Sequence, residues 1–224
     1  MEKIIYFNSD KYTDYVIKKY DLQIENNQYK LITPKINIEE IKKEWNILCI
    51  LGASGSGKST ILKSLGEIIE PTYNNEKSII SQFPNKTPEQ VVEAFYSIGL
   101  SSVPLWLHRP NELSNGERSR LDIAYKILNN KGGVILIDEF TSVVNRTTAK
   151  TMSFCLQKYI RELNLKVVLC SCHYDIIEWL QPDFVVNLNN KKGDKATIEE
   201  VEYNDYEGYP IVNKKEVLIE GGAI

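Results

Sequence analysis

The chain has 224 residues, of which 42 % are hydrophobic and 25 % charged, the proportions of a globular chain with one core and room for a small appended subdomain. A formal net charge of −3 excludes bulk electrostatic attraction to nucleic acid or anionic lipid, and leaves only a local basic patch for such a role. No apolar run reaches the length of a membrane span and the start, Met1-Glu-Lys-Ile-Ile-Tyr, does not read as a signal peptide, so a cytoplasmic chain is expected, with any spanning part on another polypeptide.

Residues 1–46 alternate short apolar and polar stretches and are rich in tyrosine. Leu22-Gln-Ile-Glu and Tyr29-Lys-Leu-Ile read as strands, an antiparallel edge ahead of the core, and Ile36 to Trp45 leads into it. Ile47 to Leu51 is short and wholly apolar, as a buried parallel strand is. It stops at Gly52 and enters Gly52-Ala-Ser-Gly-Ser-Gly-Lys-Ser-Thr60, which fits G-x-x-x-x-G-K-S/T. Glycines here let backbone N–H groups turn inward around phosphate oxygens, and the helix that follows adds the positive end of its dipole. Lys58 is placed to reach β- and γ-phosphates, and the Ser59 hydroxyl to take one position on Mg²⁺. The helical spacing of apolar residues from Thr60 onward supplies the strand–loop–helix context that separates such a loop from an ordinary glycine turn.

Pro71-Thr-Tyr-Asn-Asn breaks the chain, and Lys77-Ser-Ile-Ile-Ser reads as a short buried strand ending at Gln82-Phe-Pro. Thr87-Pro-Glu-Gln opens a helix with a cap, a proline at the first helical position and an acid next; Gly99 closes it. The loop 101–111 carries Val103, Leu105, Trp106 and Leu107, which are expected to pack inward or to form a docking surface. Leu113-Ser-Asn-Gly-Glu precedes a helix whose Leu121, Ala124, Tyr125 and Leu128 share a face, and Ser114-Asn-Gly sits where orphan N–H groups hold an anion.

Gly133-Val-Ile-Leu-Ile-Asp-Glu is an apolar strand, expected to be central, running into two acids at the end where ligands bind in parallel sheets. Side-by-side carboxylates are costly there without a cation, so Asp138 reads as a Mg²⁺ ligand and Glu139 as the group that orients or deprotonates an attacking water. Asn145 opens a long helix through Leu163; the strand 166–172 ends at His173, and 183–188 is the last core strand. Residues 190–224 read as a hairpin and a loose tail. The four cysteines, Cys49, Cys155, Cys170 and Cys172, lack the paired spacing of a zinc site and read as small buried thiols in a reducing compartment.

Taken together, these elements resemble the ATP-binding-cassette (ABC) ATPase family over residues 22–190. Gly52 to Thr60 looks like Walker A, Gln82 like the Q-loop glutamine, and Leu113-Ser-Asn-Gly-Glu like the ABC signature. Val134 to Glu139 looks like Walker B with the catalytic glutamate, and His173 like the switch histidine. The resemblance implies an α/β P-loop fold of ABC type, a mostly parallel sheet with the antiparallel N-terminal edge and a reduced helical subdomain. It implies a single domain over 1–224, with that subdomain at 83–112 and the hairpin and tail at 190–224. It further implies two ATP molecules and Mg²⁺ at a head-to-tail homodimer interface. In that picture Gly52, Ser54, Gly55, Ser56, Gly57, Lys58, Ser59, Thr60 and Gln82 bind nucleotide, and Ser114 and Gly116 come from the partner. Ser59, Gln82 and Asp138 hold the metal, and Glu139, His173 and Lys58 carry the hydrolysis. Tyr29 is the candidate for stacking on adenine, in competition with several other tyrosines.

The departures bear on biology. The span from Gln82 to Leu113 is short for a transporter subunit, and Asn145 stands where the family usually has the D-loop aspartate. Asn145 then either caps its helix or weakens communication between the two sites. The local wording around Ser102, Leu113, Phe140 and Ser171 is similar to small soluble ABC ATPases of phages and mobile elements. The expected function is therefore ATP hydrolysis that switches a soluble macromolecular partner, nucleic acid included. The alternative is the ATPase subunit of a membrane transporter, and a third reading is a binding module with little turnover, against which Glu139 and His173 argue.

Overall fold

The computed structural model describes residues 2–32, 34, 36–41, 43–188, 198–203 and 210–217. At the N-terminus β1 (Glu2–Tyr6) and β2 (Gln28–Ile32) form an antiparallel pair around α1 (Lys11–Lys19). The core sheet is built from β3 (Ile47–Leu51), β4 (Ile135–Ile137), β5 (Val167–Ser171), β6 (Phe184–Asn187), β7 (Ile198–Tyr203) and β8 (Pro210–Val217). Its order is β4-β5-β3-β6-β7-β8. The first four strands are mutually parallel, and β7 and β8 continue antiparallel.

Every residue of β3 is buried, because successive side chains point to opposite faces and both faces are covered. Ile47, Cys49 and Leu51 join a core that includes residues of α3 (Pro88–Ser97), α4 (Asn115–Leu128) and α5 (Arg146–Glu162). Leu48 and Ile50 pack on the other side with Ile61 and Leu62 of α2 (Lys58–Ser64). Each such side chain, fully buried, contributes about 1.5–3 kcal/mol. One carboxylate fixes the start of β3: Asp183 Oδ2 accepts from the Asn46 and Ile47 N–H groups at 2.8 Å each, and its Oδ1 meets Arg161 of α5 at 2.9 Å.

The helix starts follow their local signals. Thr87 and Gln90 close a capping box on α3 with Pro88 at the first position, Ser114 and Glu117 do the same on α4, and Asn145 caps α5.

Four expectations are corrected. The segment 77–81 is not a strand; Ile79 to Gln82 is a 3₁₀ turn, with the Ile79 N–H given to His108 O at 2.8 Å rather than to a sheet. Leu22 to Glu25 is not a strand either, holding only an isolated bridge from Glu25 to Gln28. The strand before Asp138, β4, lies at the sheet edge and not in its centre; it is apolar because its faces are covered, which sequence cannot tell from having two lateral neighbours. The antiparallel strands that extend the core sheet are the C-terminal β7 and β8, whereas β1 and β2 form a separate two-stranded sheet. Between α3 and α4, Trp106 is buried and donates to Leu100 O at 2.7 Å, while Val103 and Leu107 face solvent. Among the described residues, no helix is long and apolar enough to cross a membrane.

Candidate functional site

The carboxyl ends of β3, β4 and β5 lie side by side, so the segments leaving them converge: Gly52 after β3, Asp138 after β4 and Cys172 after β5. The loop after β3 is shaped by glycine. Gly55 and Gly57 have φ of 77° and 96°, and Gly57 caps α2 without a side chain, which leaves the first N–H groups of the helix open. A Cβ on Gly52 would stand 2.5 Å from Ser56 Oγ, so a larger residue there would have to displace the Ser56 side chain. Ser56 Oγ is buried and finds no protein partner, a polar atom left for a ligand.

The Lys58 ammonium folds back across the loop and donates to the carbonyls of Gly52 and Ala53 at 2.8 Å each. In front of it opens a cavity of about 440 Å³. Ser54, Gly55, Gly57, Lys58, Ser59 and Thr60 form one wall; Asp138, Glu139, Ser142 and Cys172 form the other.

The acidic wall is a strained turn. Glu139 and Thr141 have φ of 51° and 67°, left-handed values that cost a non-glycine residue about 1–3 kcal/mol each. Local hydrogen bonds hold them there: Glu139 N–H to Asp138 Oδ1 at 2.9 Å, and Ser142 N–H to Glu139 O at 3.0 Å. Ser171 ties the turn to β5, its hydroxyl donating to Phe140 O at 2.9 Å and accepting from His173 N–H at 3.1 Å. His173 Nδ1 lies 3.1 Å from Thr141 Oγ1. Partial burial, and then the Arg146 guanidinium, push the imidazole pKa below its ordinary value; Asp175, paired with Arg146, pulls it up.

The structure thus gathers the loop residues, Asp138 and Glu139 on one cavity, with Gly52 and Ser56 at the base of the loop and His173 beside the acidic turn. Gln82 is not brought there. Its carboxamide makes four hydrogen bonds, to Asn74 N–H, Asn74 O, Lys77 O and Ser78 O, and closes the turn 74–78. In this arrangement Gln82 does not line the cavity that the expectation gave it. Ser114 and Gly116 also stand off the cavity, at the start of α4. Ser114 Oγ donates to Glu117 Oε2 at 2.7 Å, and these hydrogen bonds hold the Glu117 carboxyl below its usual pKa. Gly116 backs onto Val143, where a Cβ would come within 3.1 Å of the carbonyl. The Tyr29 side chain lies outside the described residues.

Two residues escaped the sequence reading. Cys172 is exposed on the cavity wall, unlike the buried Cys49 and Cys170; its position one residue past an apolar strand was the available signal. Ser142 also lines the cavity, and nothing in the sequence marked it. The donor chemistry facing the cavity, the Ser59 hydroxyl and the Asp138 carboxylate, is the hard-oxygen type that suits Mg²⁺, which takes few protein ligands and completes its shell with water and phosphate.

The model of the AAA domain (dynein-related subfamily) matches residues 47–166, which run from β3 through the carboxylates to the threshold of β5. Similar curated proteins are methionine import ATP-binding proteins. MetN 2 of Shouchella clausii is 30 % identical over 69 % of this chain and 58 % of its own length. MetN 1 of Bacillus cereus is 21 % identical over 80 % of this chain and 66 % of its own. The chain therefore spans roughly three fifths of the length of these relatives. Among solved structures, the dimeric post-hydrolysis cassette MJ0796 bound to ADP and Pi aligns with a TM-score of 0.55 at 18 % identity, covering 74 % of this chain and 89 % of that one. The archaeal ribosome recycling factor aABCE1 aligns with a TM-score of 0.54 at 19 % identity, over 77 % of this chain and 41 % of that one.

Proposed function

We propose that this chain, which belongs to the AAA-domain family whose model matches residues 47–166, works as an ATP-binding-cassette ATPase: it binds Mg-ATP between two head-to-tail copies and hydrolyses it to drive a conformational switch. The observation that carries this reading is the cavity where Lys58 faces Asp138 and Glu139, with the signature helix start lying off it. A second copy supplies what one chain does not bring together.

Lys58 exchanges its two carbonyl partners for β- and γ-phosphate oxygens, and the open N–H groups at the start of α2 cradle the rest. Ser59 and Asp138 would hold Mg²⁺, which offsets phosphate charge. Glu139, fixed at the mouth of its strained turn, orients the attacking water and accepts its proton; His173 contacts the γ-phosphate. Ser114 and Gly116 of one copy close over the nucleotide of the other. Steady-state ATP hydrolysis tests this: wild type should turn over and Glu139→Gln should fall by about 10²–10⁴-fold, the usual worth of a general base. Equal, negligible turnover in both removes the enzyme reading.

Two partner readings remain, and the relatives favour the one placed second by sequence. Their names make them methionine import ATP-binding proteins, which supports a membrane-embedded transporter subunit as the partner here. The short segment 83–112 favours a soluble partner instead. A pull-down with Glu139→Gln and Mg-ATP separates them: a multi-span membrane protein in the eluate supports the transporter reading, and nucleic acid or a soluble protein held only with ATP supports the other.

A further inference from the structure

Two segments leave the neighbouring strands β4 and β5: the acidic turn, which runs into α5, and Cys172-His173-Tyr174-Asp175, which runs into α6 (Ile176–Leu180). Arg146, the first residue of α5, joins them at the helix end. Its Nε donates to Asp175 Oδ2 at 2.9 Å and its Nη2 donates to Asp175 Oδ1, a two-pronged ion pair. Its guanidinium also lies 5.1 Å over the Trp179 ring of α6.

Both members of the pair give up local satisfaction. Asp175 precedes α6, where an aspartate ordinarily turns its carboxylate to the first N–H groups of its own helix; here it makes no such bond, and Arg146 takes both oxygens. The remaining guanidinium nitrogen, Nη1, is buried and finds no partner among the described residues, which is costly for a donor. The two side chains keep 40 % and 45 % of their surface exposed, and an ion pair in water adds little to stability. What a two-pronged arginine–carboxylate pair supplies is geometry.

The geometry it fixes is that of His173. The three residues ahead of α6 are each tied: His173 N–H to Ser171 Oγ, the Tyr174 hydroxyl to Asn187 Oδ1 at 3.2 Å, and Asp175 to Arg146. The imidazole meets Thr141 of the acidic turn, and Ser171 Oγ holds Phe140 O of the same turn. The histidine segment and the turn that carries Glu139 are thus gripped at the strand end by Ser171 and at the helix end by Arg146.

We propose that Arg146 is a positioning residue for His173: by holding Asp175 it keeps the imidazole on Thr141, so that His173 and Glu139 move as one unit. Its effect on hydrolysis rests on the Mg-ATP reading above; its grip on the imidazole does not.

The test uses the full chain labelled with ¹⁵N-histidine. The sequence has two histidines, and His108→Gln assigns the signals of the other. Above the pH at which it titrates, a ring held in one tautomer by its hydrogen bond gives well-separated Nδ1 and Nε2 shifts, and a ring that turns freely averages them. Wild type should show the separated pair, and Arg146→Gln and Asp175→Asn should each bring the two shifts together. Arg146→Lys, which keeps the charge without the fork, should do the same. In steady-state hydrolysis these variants should lose about tenfold to a hundredfold in kcat with the KM for ATP unchanged, since Arg146 does not line the nucleotide cavity. Substituting the two ends separately keeps the test open if one variant does not fold. A wild-type ring that already averages, shifts that stay apart in any variant that folds, or converged shifts with kcat at the wild-type value overturn the proposal. Shifts that respond as expected in a chain that hydrolyses no ATP would strike the Mg-ATP reading and leave the grip on His173 standing.

Discussion

His173 is one hydrogen bond from the turn that carries the two acids, and its protonation follows from its neighbours. Burial first and Arg146 second lower its pKa, with Asp175 opposing them. Between that lowered value and the ordinary histidine value of about 6.5, the unfolded chain binds a proton that the native state does not. His173 therefore contributes stability that is present above about pH 6.5 and is lost as pH falls through this window. For activity, hydrolysis should keep its neutral-pH level down to below about pH 6.5 and then decline as the imidazole gains its proton. In Asp175→Asn the acid limb should move to lower pH, since the group that raises the pKa is gone; Arg146→Gln should move it higher. A pH–rate profile checks both shifts, and an acid limb that ignores both substitutions belongs to another group.

At the level of elements, Asn145 shows how far local chemistry reaches. Its Oδ1 accepts the Thr148 N–H at 2.8 Å and starts the 17-residue α5. Asn145→Ala should lower stability by about 1 kcal/mol in denaturant unfolding, the usual cost of a lost cap, and Asn145→Asp should leave it unchanged because aspartate caps equally well. A change in ATP turnover in Asn145→Asp, at unchanged stability, would mean that the residue also acts between sites. Caps of this kind were legible because donor, acceptor and hydrophobic face lie within a few residues; α3, α4 and α5 all start where Thr87, Ser114 and Asn145 announce them. The loop from Gly52 to Thr60 was legible for the same reason. What failed was non-local. Ile79 and Ile80 look like strand residues, but the Ile79 N–H is claimed by His108 and the turn is closed by Gln82. The edge place of β4, the exposure of Cys172 and the approach of Lys126 to Leu136 O depend on which distant segments pack together, and apolar periodicity carries no such information.

For the whole molecule, the proposed assembly rests on the separation of the phosphate loop from the start of α4. In the single chain Ser114 and Glu117 satisfy one another: Glu117 accepts from both the N–H and the hydroxyl of Ser114, at 2.9 and 2.7 Å. Glu117 stays ionised at neutral pH, held below its usual pKa by these bonds, so the start of α4 already carries an anion of its own. In the proposed dimer a γ-phosphate from the second copy would take that place, bringing more charge and the partner's Lys58 and metal with it. Association should therefore require nucleotide. Glu139→Gln, which slows hydrolysis, should accumulate with Mg-ATP as a species of twice the 25.7 kDa of one chain by light scattering, and should revert when nucleotide is removed. Adding Ser114→Arg to that variant puts a long cation where the phosphate must approach and removes the hydroxyl that receives it, so the double variant should stay at the mass of one chain while still binding ATP. A double variant that dimerises as before places the second half of the site elsewhere. Glu139→Gln that stays monomeric at high concentration with saturating Mg-ATP means that a different chain completes the cavity.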